Sequence, residues 1–141
     1  MMMQIQLHDF TSEEMPSVDK ATAIEAFKRF DWAFELNRMQ QAMARNEDCC
    51  PPSLGLISDN GNQLYVIPVD EQQVDFNFQY LAIRKSFVYI SNNVEESHLV
   101  RNYPVNSVPE LIGFHFDGKD AEILRIEGTG TDESMIDRFE L

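Results

Sequence analysis

From Asp19 to Asn46 the chain contains neither Gly nor Pro, and this stretch limits the choice of fold more than any other. Thr22 and Glu25 have capping-box spacing near its start, so the pattern predicts one long N-terminal helix. Its apolar residues form two stripes. Ala23, Phe27, Phe30 and Phe34 recur at four, three and four residues, and so do Trp32, Leu36, Met39 and Met43. At about 100° per residue the stripes sit about 180° apart. One straight surface helix cannot bury both against one core. Either the helix is bent or split near Asp31 to Glu35, or its second stripe meets a partner. Trp32, Leu36 and Met39 are therefore candidate partner-binding residues.

After Cys49-Cys50-Pro51-Pro52 the pattern changes to strands. Leu54 to Ser58 and Gln63 to Ile67 flank Asn60-Gly61, the sequence of a type I′ hairpin turn. Val74, Phe76, Phe78 and Tyr80 alternate with Asp75, Asn77 and Gln79, so one strand face is dry and the other wet. Another strand is expected over Ile83 to Ile90, ended by Asn92-Asn93, then a helical turn at Glu95 to Val100. Ser107 to Glu110 has capping spacing with Pro109 in the first turn, and Gly113 would end that turn. Phe114, Phe116, Asp117-Gly118 and Glu122 to Ile126 read as a second hairpin. Asp132 to Glu140 reads as a short C-terminal helix, with Met135, Ile136 and Phe139 inward. Residues 1–16 read as a lead-in segment. The expected class is α+β: the long helix packed on a mainly antiparallel sheet of about five to six strands, in a single domain over residues 1–141.

Twenty-four acids against eleven bases give a net charge of −13, yet 43% of the residues are hydrophobic, which favours an ordered domain over an acidic disordered chain. That charge disfavours nucleic acid and an anionic membrane surface as partners. The start lacks the basic residues of a secretory signal, and no stretch approaches a bilayer-spanning length. Cys49 and Cys50 are adjacent, too strained to bridge, which suits a reducing, cytoplasmic setting. The acidity is uneven. Between Asn46 and Ile83 there is no Lys or Arg, while Glu47, Asp48, Asp59, Asp70, Glu71 and Asp75 all fall there. A one-signed surface of this kind steers a basic protein. The doublets Asp70-Glu71 and Glu95-Glu96, both expected on loops, and Asp75 are the leading contact candidates.

No motif points to catalysis, a metal or a cofactor. Gly128-Thr129-Gly130-Thr131 lacks the Lys of a phosphate loop. Asp59-Asn60-Gly61-Asn62 and Asp117-Gly118-Lys119-Asp120 lack the ligand spacing of a calcium loop and read as turns. His115 is expected to point outward from a strand, and His98 follows Glu95-Glu96-Ser97 closely enough to form an acid–base cluster.

The helical segment Phe27-Lys28-Arg29-Phe30-Asp31-Trp32-Ala33-Phe34-Glu35, Pro51-Pro52 before Gly55-Leu56, the Asn60-Gly61 hairpin and the acidic strands together resemble the immunity proteins of bacterial secreted-toxin systems. The likeness lies in size, acidity and helix-then-sheet order. It implies an acidic surface that masks a basic toxin and assigns no functional residue. The alternative is a secretion chaperone, a homodimer that holds an extended segment of an effector through the stripe Trp32, Leu36, Met39 and Met43. A small enzyme is the third reading.

Overall fold

The computed structural model describes residues 1–85 and 91–127, with backbone alone over 81–85 and 91–95. The chain order is β1 (Met2–Gln6), β2 (Ser12–Met15), α1 (Lys20–Arg29), α2 (Trp32–Ala44), β3 (Ser53–Ile57), β4 (Gln63–Pro68), β5 (Gln73–Lys85), β6 (Ser91–Pro104), α3 (Val108–Phe116) and α4 (Asp120–Leu124). The strands form one antiparallel sheet in the order β2-β1-β3-β4-β5-β6. Period-2 alternation sets its dry face: Met3 and Ile5, Leu54 and Leu56, Leu64 and Val66, then Val74, Phe76 and Phe78 are all buried. Ala23 and Phe27 of α1, Val108, Leu111 and Ile112 of α3 and Ile123 of α4 close the core over that face. Among the described residues no helix is long and apolar enough to cross a membrane.

The long N-terminal helix does not exist. Its sequence is two short helices, broken at Phe30 and Asp31, where Phe30 turns to extended backbone. Asp31 starts the second helix by accepting the Phe34 amide at 3.0 Å, and the Trp32 indole N–H donates to the Phe27 carbonyl at 2.9 Å. The first helix is capped by Asp19, which accepts the Thr22 amide at 2.7 Å, so the Thr22–Glu25 box is not the cap. The break resets the helical phase. Trp32, read in the outer stripe, packs on Phe27 and Phe30 with ring centroids 5.7 and 4.3 Å away. Phe34, read in the core stripe, is 53% exposed.

The lead-in segment is likewise two strands. Met3 and Ile5 of β1 face the core, and among the described residues β2 is paired with β1 alone, from Met3↔Met15 to Gln6↔Ser12. The β3–β4 turn is a hairpin, but only Gly61 has positive φ (+90°), with its amide donating to the Ser58 carbonyl at 3.0 Å. That is a turn followed by a left-handed glycine in place of a type I′ pair. Glu95 to Val100 lies within β6 instead of a helical turn, and the second hairpin is the helix pair α3–α4. Asp117-Gly118 ends α3, with Gly118 at φ +68°. The C-terminal helix expected at Asp132 to Glu140 lies outside the described residues, as do residues 86–90 of the strand expected over Ile83 to Ile90.

Candidate functional site

Strands β1 and β4 end, and β3 and β5 begin, at the same edge of the sheet, so their connections cluster there. Helix α2 is fastened to that edge by a buried acid. Glu35 accepts from the His8 backbone amide at 3.2 Å and the His8 ring Nδ1 at 2.8 Å, and the Cys50 amide donates to the His8 carbonyl at 2.9 Å. The helix stops at Asn46, whose φ of +56° lets the Glu47 amide reach the Ala42 carbonyl at 2.9 Å and its own amide reach that of Met43 at 3.1 Å.

Between α2 and the β4–β5 turn runs an open groove of about 210 Å³, lined by Ala33, Leu36, Asn37, Gln40, Val69, Asp70 and Glu71. Asp70 Oδ1 accepts the Gln72 and Gln73 amides at 2.7 and 2.9 Å and so fixes the turn that forms one wall. Among the described residues neither Asp70 nor Glu71 forms an ion pair. Glu47 and Asp48, on the connection from α2 to β3, are exposed and also unpaired, and Asp9 lies on the β1–β2 turn. The Thr11 hydroxyl, followed by its amide, holds the Asp9 carboxyl below its ordinary range.

Of the eight sequence candidates, the fold unites Leu36, Asp70 and Glu71 at this groove. Met39 is half-buried on α2 and does not line it, and Trp32 serves the α1–α2 junction. Asp75 sits on the outer sheet face at a β-bulge, accepting the Asn102 amide at 3.1 Å. Glu95 and Glu96 are on β6, not on a loop, opposite Leu81 and Tyr80, and Glu96 accepts the Tyr80 hydroxyl at 2.8 Å. The missed groove residues carried a faint signal, since Ala33, Asn37 and Gln40 recur at four and three residues on one helical stripe.

The acids are not gathered on one side. At the opposite sheet end Asp117 pairs with Lys20 at 2.6 Å and Asp120 accepts from Asn62 at 3.0 Å, while Glu13 and Glu14 lie exposed on edge strand β2. The α2 end carries Glu47, Asp48, Asp70 and Glu71, none of them in an ion pair among the described residues.

The histidines act as fasteners. His115 is buried inside α3, and its Nε2 lies 2.9 Å from the Leu56 carbonyl and 3.3 Å from Ser58 Oγ. A carbonyl oxygen only accepts, so Nε2 carries the proton and cannot also take one from Ser58. Its Nδ1 is buried without a partner among the described residues, and burial holds the imidazole below its ordinary pKa. His98 Nε2 likewise meets the Ile126 carbonyl at 3.0 Å. Among the described residues no cluster of three metal-ligating side chains occurs. No family model, curated protein or solved structure matches the chain.

Proposed function

We propose that this chain is an acidic protein-binding module, best read as a cytoplasmic immunity protein that binds and neutralises a basic bacterial toxin. The observation that carries the reading is the set Asp70, Glu71, Glu47 and Asp48 at the α2 end of the sheet, in a segment without a Lys or Arg from Asn46 to Ile83. Carboxylates left without internal cations keep their field for a partner, which speeds capture of a positively charged surface. The carboxylates of Asp117 and Asp120, already bonded within the fold, contribute less. The chaperone reading needs the stripe Trp32, Leu36, Met39 and Met43 as a contact surface, but only Met43 is mostly exposed. An enzyme reading lacks an activated nucleophile, because among the described residues no hydroxyl or thiol is hydrogen-bonded to an imidazole nitrogen free to accept its proton.

The test is growth protection. Each open reading frame flanking this gene is expressed in a bacterial host with and without the chain, and one that arrests growth alone is the candidate toxin. Restored growth is expected, and Asp70→Asn with Glu71→Lys, which keeps the turn-fixing oxygen, should remove it while the melting temperature holds. Killing that the wild-type chain leaves unchanged would overturn the reading.

A further inference from the structure

The groove between α2 and the β4–β5 turn combines apolar and polar walls. Ala33, Leu36 and Val69 offer apolar contact, and Asp70, Glu71, Asn37 and Gln40 offer oxygen acceptors. Val69 is 44% exposed although it borders a core strand, so the apolar part is open to an incoming group. We propose that this groove is the seat of one arginine side chain of the partner, a deepening that rests on the protein-binding reading above.

Charge and shape select that occupant. Among the described residues Asp70 and Glu71 pair with no cation, the Arg38 guanidinium of α2 lies over the Phe34 ring, and the segment from Asn46 to Ile83 contains no base. The apolar residues suit the three-carbon stem of arginine, which buries along apolar surface while its charged head stays at the polar rim. The acceptors decide between arginine and lysine. Asp70 spends Oδ1 on the turn and keeps Oδ2, Glu71 brings two oxygens, and Asn37 and Gln40 bring one each. That number fits the five donors of a planar guanidinium better than the three of an ammonium. An arginine seated in a pocket is also among the commonest anchors of protein interfaces.

The test uses the whole protein, labelled for amide chemical shifts, and three capped tripeptides, Gly-Arg-Gly, Gly-Lys-Gly and Gly-citrulline-Gly. Citrulline keeps the shape of arginine and removes its charge. Expected is weak binding of the arginine peptide, with shifts confined to residues 33–40 and 69–73. It should bind ~10-fold more tightly than the citrulline peptide, the scale of one charge-assisted contact, and more tightly than the lysine peptide. Asp70→Asn with Glu71→Gln, which keeps the turn-fixing oxygen, should abolish the preference at unchanged melting temperature. Equal binding of arginine and citrulline, equal binding of arginine and lysine, or shifts centred elsewhere would each overturn the assignment. If growth protection still depends on Asp70 and Glu71 under any of those results, the acidic surface stands and only the arginine seat falls. If protection itself fails while the arginine preference is found, the seat stands and the toxin reading falls.

Discussion

Replacing Phe27 and Phe34 separately by alanine tests the break between α1 and α2, on which the placement of the groove depends. The two residues share one stripe of an unbroken helix and should then cost alike. In the fold Phe27 is 4% exposed, packed against Ala23, the sheet and the Trp32 ring, so truncation leaves a cavity in a closed core. Such a Phe→Ala change costs about 3–5 kcal/mol. Phe34 is 53% exposed, with the Arg38 guanidinium 5.5 Å from its ring centre. Losing an exposed contact of that kind is worth about 0.5–1 kcal/mol. At roughly 3 °C per kcal/mol for a chain of this size, the melting temperature should fall by about 9–15 °C for Phe27→Ala and by no more than about 3 °C for Phe34→Ala. Urea unfolding followed by circular dichroism, with equal slopes in both variants, gives the same comparison at 25 °C. Comparable losses at the two positions would refute the broken helix.

Further outcomes concern single groups. His115 has a folded pKa below its unfolded value, so the neutral ring stabilises the fold above the unfolded pKa of about 6.5, and that contribution is lost as pH falls from there through the folded value. Stability measured from pH 7 to pH 5 should therefore decline less in His115→Gln than in wild type, and parallel declines would contradict the assignment. Asn46 ends α2 at φ +56°, so Asn46→Gly should be tolerated while Asn46→Val costs at least about 1 kcal/mol in urea unfolding; equal stabilities would argue against the left-handed stop.

Local signals placed the elements that are local in cause. Asn60-Gly61 turned the β3–β4 hairpin, and the Val74 to Tyr80 alternation marked the dry face of β5. Strand β2 escaped notice because Ser12-Glu13-Glu14-Met15 is exposed throughout and, among the described residues, is paired with β1 alone. Asp-Gly misled at residues 117–118, since the same dipeptide ends helices as well as hairpins. The better signal there was Val108, Leu111, Ile112 and His115, spaced at three, four and seven residues from the first, as one buried helical face requires. The two stripes half a turn apart signalled a bend or split near Asp31 to Glu35 but left the long helix standing as the expected class, because an aspartate inside a Gly- and Pro-free run looks like any helix-surface acid until its side chain is seen capping the next helix. At the groove, Asp70 and Glu71 were legible as an acidic turn and Leu36 as an outer-stripe residue. Their meeting across the sheet edge depends on the buried His8–Glu35 contact, which spans 27 residues and leaves no local mark.

The most direct measurement of the central claim is the rate at which this chain associates with the flanking-gene product whose toxicity it blocks, followed from ~0.02 to ~0.5 M salt, where screening contracts to a few ångströms. If the unpaired acids at the α2 end guide capture, the wild-type rate should fall steeply across that range and the Asp70→Asn, Glu71→Lys protein should be slower with a shallower fall. Matching salt dependences for the two proteins would contradict it.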